Sequence, residues 1–186
     1  MILLAFGDLH GDFKAIDRLI KKSKKADFLI CSGDLTNFGK NYEKIIFKLD
    51  SIGKKIFFIH GNHDPGKFIE TENVINIDKR IFGFGKFSIM GYNDWGFAKE
   101  NKNIERFFLK GKKLKNLIIV THGPAFGYKL DFLGEHIGNK SIRKIIEILK
   151  PKLHICGHLH EYFSGMDFIG KTLSINAGPE GLLLEI

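Results

Sequence analysis

Lys55-Ile56-Phe57-Phe58-Ile59-His60-Gly61-Asn62-His63-Asp64 is the stretch that decides the fold of this chain. Its first half, the apolar run over 55–59, is short, rich in β-branched and aromatic residues and ends at a Gly, which describes a buried strand. Its second half sets an amide, an imidazole and a carboxylate side by side just past that strand, an odd surface turn but a composition suited to a reaction centre. Asn-His-Asp by itself is common loop chemistry. The weight comes from repetition: four other apolar runs of the chain also end in Asp, His or both.

Toward the N terminus, 2–6 reads as a buried strand, and Asp12 caps a helix whose Phe13, Ile16, Leu19 and Ile20 keep helical spacing. A second strand over 27–31 leads through Ser32-Gly33-Asp34 into a helix over 42–51 that turns Ile45, Ile46 and Leu49 inward. Three βα units with short loops predict parallel strands with helices packed over them.

Toward the C terminus the texture changes. Short pieces over 74–77 and 86–90, separated by Gly83 and Gly85, are expected as antiparallel strands at a sheet edge. Gly83-Phe84-Gly85-Lys86 lacks the spacing of a phosphate-binding P-loop. A helix over 100–110 precedes a very apolar strand over 116–120. The stretch 124–140, rich in Gly and aromatics and without a period, is the longest loop and is expected to roof a pocket. Ser141 then caps a helix with Ile142, Ile145, Ile146 and Leu149 on one face, and Pro151 stops it. A strand over 153–156 follows, and 171–177 with 181–186 reads as a closing β-hairpin.

With 186 residues, the chain is expected to form a single domain spanning 1–186. Cys31 and Cys156 are too few for a disulfide framework and sit in apolar runs, as buried free thiols do, which suits a reducing compartment. Residues 1–6 are apolar, but without a basic leader and with Asp8 close behind they form neither signal peptide nor membrane span, so a cytoplasmic protein is expected. The net charge of +8 comes almost wholly from scattered lysines rather than from clustered arginine and aromatics, so nucleic acid is not expected as a partner.

The chemistry gathers at strand ends. Ligands of an open α/β sheet bind outside the carboxyl ends of its strands, where residues distant in sequence converge. Those positions hold Asp8 and His10, Asp34, the Asn62-His63-Asp64 group, His122, and His158 with His160. Residues two apart in an extended chain point the same way, so Asp8 pairs with His10, and His158 with His160. Taken singly, each has an ordinary structural explanation: Asp8 and Asp34 as turn or cap residues, His122 as a satisfied core histidine, His158 and His160 as surface. Jointly, five of eight histidines at strand ends are hard to assign to chance.

Gly7-Asp8-Leu9-His10, Gly33-Asp34, Gly61-Asn62-His63-Asp64, Thr121-His122-Gly123 and Gly157-His158-Leu159-His160 resemble, in order and approximate spacing, the five motifs of the calcineurin-like metallophosphoesterases. Pro151 and Asn176-Ala177-Gly178-Pro179 resemble its small prokaryotic members. The resemblance implies an α/β fold, a four-layer α-β-β-α sandwich of two mixed sheets flanked by helices. It implies one metal held by Asp8, His10, Asp34 and His160, and a second by Asp34, Asn62, His122 and His158, with Asp34 bridging. That mixed nitrogen and oxygen set suits two divalent transition-metal ions, Mn2+ first and Fe, Zn, Co or Ni after it, better than Mg or Ca. The implied reaction is hydrolysis of a small phosphodiester or nucleotide by a metal-bridging hydroxide attacking in line, with ions about 3.5–4 Å apart. His63 would give a proton or hydrogen bond to the leaving oxygen, and Asp64 would hold its other nitrogen.

Further residues have weaker claims. Tyr128 and His136 are candidates for substrate contact, with an ordinary surface loop as the alternative. His60 and His154 are expected to be buried structural or supporting histidines, and Trp95 an anchored loop aromatic. Two other functions stay open at this level: a nuclease of the same chemistry, which would need a long basic groove, and a scaffold that keeps the fold without catalysis. All seven ligand positions and His63 are present, which disfavours the scaffold.

Overall fold

Eleven strands and four helices are formed among the described residues, 1–94 and 100–186 of the computed structural model; Trp95 lies outside them. The first three apolar runs become β1 (Ile2–Phe6), β2 (Phe28–Cys31) and β3 (Ile56–Phe58), parallel neighbours joined by α1 (Phe13–Ser23) and α2 (Tyr42–Asp50). Asp12 starts α1 as expected, its carboxylate accepting from Lys14 N and Ala15 N. β4 (Val74–Asn76) adds to β3, and β11 (Leu182–Glu185) adds to β1, which completes a five-stranded sheet in the order β11-β1-β2-β3-β4 among the described residues.

The second sheet runs β5 (Ile81–Phe84), β6 (Phe87–Tyr92), β7 (Leu117–Thr121), β8 (Leu153–Cys156), β10 (Thr172–Asn176), β9 (Gly165–Ile169). Its central pairs β6–β7, β7–β8 and β8–β10 are parallel, and both edges are antiparallel hairpins. α3 (Lys102–Phe108) and α4 (Lys140–Leu149) cover its outer face.

Strand alternation builds the layers. Leu4 and Phe6 of β1 face α1 and α2, whereas Leu3 and Ala5 face the other sheet. In β7, Ile118 and Val120 point inward to the first sheet, and Leu117 and Ile119 point outward to α3 and α4. Three apolar layers result, one between the sheets and one under each helical pair, so the α-β-β-α sandwich is formed. Strands buried on both faces are also why the runs carry so little polar alternation.

Three local readings need correction. The tail is no hairpin: β10 pairs with β8 and β9 in the second sheet, while β11 crosses to the first and pairs with β1. Gly178, at φ 62°, lets the chain swing between sheets, and a Cβ there would lie 2.7 Å from the Phe163 ring. Of the two pieces expected to be antiparallel, β4 is parallel to β3, and the antiparallel edge is β5 with β6. Helix α4 is capped by Asn139, whose side chain accepts from Ser141 N and Ile142 N, rather than by Ser141. The Ser141 hydroxyl instead donates to Glu105 on α3 at 2.8 Å.

Candidate metal centre

The carboxyl ends of β1, β2 and β3 in one sheet and of β7 and β8 in the other meet along one rim, and the residues just beyond them turn back on each other. Asp8 N donates to Gly33 O at 2.9 Å, His10 N to Asp34 O at 3.0 Å and Gly157 N to His122 O at 2.9 Å. His63 N donates to Asp34 Oδ1 at 2.8 Å, and His158 N to Asp8 Oδ1 at 3.0 Å. Each loop thus supplies the backbone partners of the next. The conformations required are unusual: Asp8, His10, Asp34 and His158 have left-handed φ of 53°, 44°, 53° and 72°. Side-chain-bearing residues enter that region at a cost of about 1–3 kcal/mol, and such strain clusters at functional sites.

The side chains so placed converge. His10 Nε2 and His160 Nε2 are 3.1 Å apart, and Asp8 Oδ1 lies 4.0 Å from His160 Nε2. His122 Nε2 is 3.0 Å from Asn62 Oδ1. Asp34 Oδ2 stands between these groups, 3.7 Å from His10 Nε2 and 3.5 Å from His122 Nε2. The His158 ring packs 5.0 Å from that of His122, and a ring nitrogen of His63 falls within 4.8 Å of the ligand atoms of Asp34 and His10. All seven predicted ligand positions therefore share one rim.

One buried acceptor of this cluster tests its fit to a cation. Asp8 Oδ2 is buried with no hydrogen-bond partner among the described residues. The Ser32 carbonyl, 2.9 Å from His122 Nδ1, takes that N–H and leaves Nε2 facing the oxygens of Asn62 and Asp34. Two carboxylates, an amide oxygen and four imidazoles form a set that divalent transition metals fit.

The titration behaviour carries the same signature. Burial raises the Asp8 carboxyl above its ordinary range, against the pull of His122 and the His158 N–H. Burial opposes charge on His122 as well, yet the facing carboxylates of Asp34 and Asp8 hold its pKa above the ordinary value. Asp34 lies low despite burial because His122 and the His63 N–H stabilise its charge. Burial lowers His10, and burial with the nearby His122 drives His158 down to about 4, so both stay neutral and able to ligate.

Packing at Gly61 is tight. A Cβ there would lie 2.1 Å from Asp34 Oδ1 and 2.6 Å from His122 Cε1. Its φ is not left-handed, so this Gly is required by close approach rather than by the turn.

Asp64 departs from the expected pairing with the His63 ring. Its Oδ1 accepts from Thr36 N at 2.9 Å and Thr36 Oγ1 at 3.0 Å, and its Oδ2 from Leu35 N at 3.2 Å and Gly61 N at 3.1 Å. Asp64 ties the loop after β2 to the loop after β3, and His63 Nδ1 is buried without a partner among the described residues. The bend expected within 61–64 is present as a turn that sends the Asp64 carboxylate back under the loop.

Tyr128 is not a surface group. Its hydroxyl is buried 2.8 Å from Ser174 Oγ, which is 2.7 Å from His154 Nδ1, while His154 Nε2 is 2.9 Å from Thr121 Oγ1. Thr121 Oγ1 donates to Gly123 O at 2.7 Å. That settles the directions: His154 Nε2–H donates to Thr121, Ser174 donates to His154 Nδ1, and Tyr128 donates to Ser174. Burial lowers the His154 pKa to about 3, so the ring is a neutral structural histidine, as expected. His60, lowered to about 4 by burial, is likewise structural, stacked on Phe68 and bonded to Tyr42.

His136 donates from Nδ1 to the buried Asp131 at 2.8 Å, and Asp131 also accepts from Gly127 N, Tyr128 N and Gly138 N. The long loop is organised around that carboxylate. It reaches the rim through Leu133, which lines a cavity of about 340 Å3 with Asp34, Asn62, His63, His158 and His160. Leu133 carried no signal in the sequence beyond its place in the longest loop.

Residues 1–162 match the calcineurin-like phosphoesterase family. The chain belongs to that family, a class of metal-dependent phosphoric ester hydrolases. It is 33% identical, over 97% of its own length and 89% of the relative's, to the uncharacterised protein MJ1162 of Methanocaldococcus jannaschii. In fold it is similar to the crystal structure of TT1561 of Thermus thermophilus, with TM-score 0.76 at 13% identity over 96% of this chain and 90% of that one. It is also similar to a structure described as a novel archaeal phosphodiesterase, with TM-score 0.51 at 17% identity over 96% and 84% of the two chains. No helix among the described residues is long and apolar enough to cross a membrane.

Proposed function

We propose that this protein hydrolyses small phosphodiesters at a dinuclear centre, with Asp8, His10, Asp34 and His160 holding one ion and Asp34, Asn62, His122 and His158 the other. The observation that carries the reading is Asp34 Oδ2, one oxygen set 3.7 Å from His10 Nε2 and 3.5 Å from His122 Nε2, beside a buried Asp8 Oδ2 that has no hydrogen-bond partner among the described residues. Two divalent ions held there would supply Lewis acidity toward a phosphoryl oxygen and an attacking water, and Mn2+ heads the candidates for this donor set.

The chain's own residues position and protonate. Ser32 O fixes the His122 tautomer, and the backbone N–H groups of His63 and His158 orient the two carboxylates. His63 stands beside His10 at a ring separation of 4.9 Å with Nδ1 unpartnered among the described residues, and serves as proton donor to the leaving ester oxygen. Asp64 supports it only through the loop. The novel archaeal phosphodiesterase of similar fold supports the diester class by analogy.

The test is a metal-screened panel comprising a bis-aryl phosphate, cyclic nucleotides, dinucleotides and single-stranded DNA. Diester hydrolysis should require a divalent transition metal, and DNA should be the poorest substrate. Asp34→Asn and His122→Ala should lose tight Mn2+, whereas His63→Ala should keep its metal and lose turnover, most on substrates with poor leaving groups. Metal content unchanged in the first two variants would refute the ligand assignment.

A further inference from the structure

The connection after β2, running through Thr36, Asn37, Phe38, Gly39, Lys40 and Asn41, is more constrained than a link to α2 requires. Phe38 and Asn41 both hold left-handed φ, 52° and 60°. For an aromatic residue that conformation is unfavourable, and nothing is gained by burial, because Phe38 is left 78% exposed. Its ring instead stands 4.5 Å from the ring of His63. The near end of the loop is held by the Asp64 carboxylate at Thr36, and Thr36 Oγ1 accepts the Gly39 N–H at 3.0 Å. An exposed aromatic face is thus kept at a set place beside the proposed proton donor.

The neighbouring surface is chemically different. His10, with its ring 4.9 Å from His63, also borders a cavity of about 240 Å3 whose lining includes Asn37, Lys40 and Asn41. That lining offers one cation and two amides and contains no carboxylate among the described residues. It is smaller than the roughly 300–1,000 Å3 of a pocket for a whole ligand, which marks it as a place for one part of a larger molecule.

We infer that this loop recognises the leaving arm of the substrate, stacking a planar aromatic group on Phe38 while Lys40, Asn37 and Asn41 take a second anionic group. Nucleotides carrying a phosphate beyond the scissile one combine these two features, whereas simple aryl esters have only the first. Aromatic residues that stack bases are sequence-tolerant, so the loop selects for a base without choosing among bases. The inference rests on the metal-centre reading, since the rim must hold the scissile phosphate for Phe38 to face the leaving arm.

Binding separates the two. Calorimetry on the Mn2+-loaded protein would compare inorganic phosphate, adenosine monophosphate and adenosine 3′,5′-bisphosphate on wild type, Phe38→Ala and Lys40→Ala. Phe38→Ala, at an exposed site, should fold as wild type. It should bind both nucleotides about tenfold more weakly or worse while binding phosphate unchanged. Lys40→Ala should lose only the preference for the bisphosphate. Nucleotides binding no better than phosphate, or equally well to wild type and Phe38→Ala, would overturn the inference with the metal centre intact. Absence of phosphate binding in every form would overturn the metal-centre reading and the inference with it.

Discussion

Replacing Asp64 by Asn separates two roles for one carboxylate. In the structure its oxygens accept from Leu35 N, Thr36 N and Gly61 N and lie 3.0 Å from Thr36 Oγ1, whose single proton also faces His63 O at 2.9 Å. An asparagine can keep the Thr36 pair on its single carbonyl oxygen, but its amide nitrogen then faces two N–H donors. Two bonds are lost, and donors are set against donors. With about 1–3 kcal/mol for each unsatisfied group, reduced because Asp64 is half-buried and water partly substitutes, Asp64→Asn should lose about 2–3 kcal/mol. Asp64→Ala, which strands all three N–H donors, should lose about 3–5 kcal/mol. For a chain of this size, 2–3 kcal/mol lowers Tm by about 4–12 °C. Calorimetry or urea unfolding of the metal-free protein measures it. If Asp64→Asn unfolded at the wild-type midpoint and displaced only the pH profile of turnover, the loop-tying role would be refuted. The carboxylate would then act on the His63 proton, as the sequence alone suggests.

Gly61→Ala should fold with a damaged centre, because the new methyl falls within 2.1 Å of Asp34 Oδ1 and the loop must retreat. Mn2+ affinity measured by equilibrium dialysis should drop at least the roughly 10–100-fold seen when groups that orient ligands are disturbed; wild-type affinity would contradict the packing argument. His154 predicts an acid-sensitive fold: its pKa is about 3 folded and about 6.5 unfolded, so between those values the unfolded chain binds the extra proton. The contribution of the neutral ring is full above about pH 6.5 and is lost as pH falls through about 3. At pH 5.5 the loss is already about 1 kcal/mol. Denaturant unfolding at pH 7.5 and 5.5 should show a fall in stability larger in wild type than in His154→Gln by about that amount, the remainder coming from other low-pKa histidines such as His60 and His158; equal falls in the two proteins would refute it.

How far the sequence reaches varies with the physics involved. Apolar runs with a chemical residue at each end are legible because strands buried on both faces admit little else, and five strand ends of like chemistry make a shared rim expected before any contact is known. The pairing of β10 and β11 is not legible: both are short apolar strands after a turn, and the choice between sheets depends on which edge is open. Ser141 resembles a cap in the sequence because it directly precedes the apolar periodicity, whereas the Asn139 side chain that does the capping stands two residues earlier. Tyr128 and His136 look available in a Gly-rich segment, but Ser174 and Asp131 engage them from beyond or within that loop.

The same division runs through Gly61-Asn62-His63-Asp64. Composition and position by themselves mark these residues as candidates for a reaction centre, since an amide, an imidazole and a carboxylate rarely gather past a buried strand without a shared task. Tertiary structure alone decided the division of labour. The Asp64 side chain turns back to the donors of Leu35, Thr36 and Gly61, whereas the ring beside it meets Phe38 and His10. Adjacent side chains on a turn diverge, and which partners they meet depends on loops far away in sequence. Leu35 and Thr36 stand 29 and 28 positions from Asp64 and come near it only when β2 and β3 pair in the sheet.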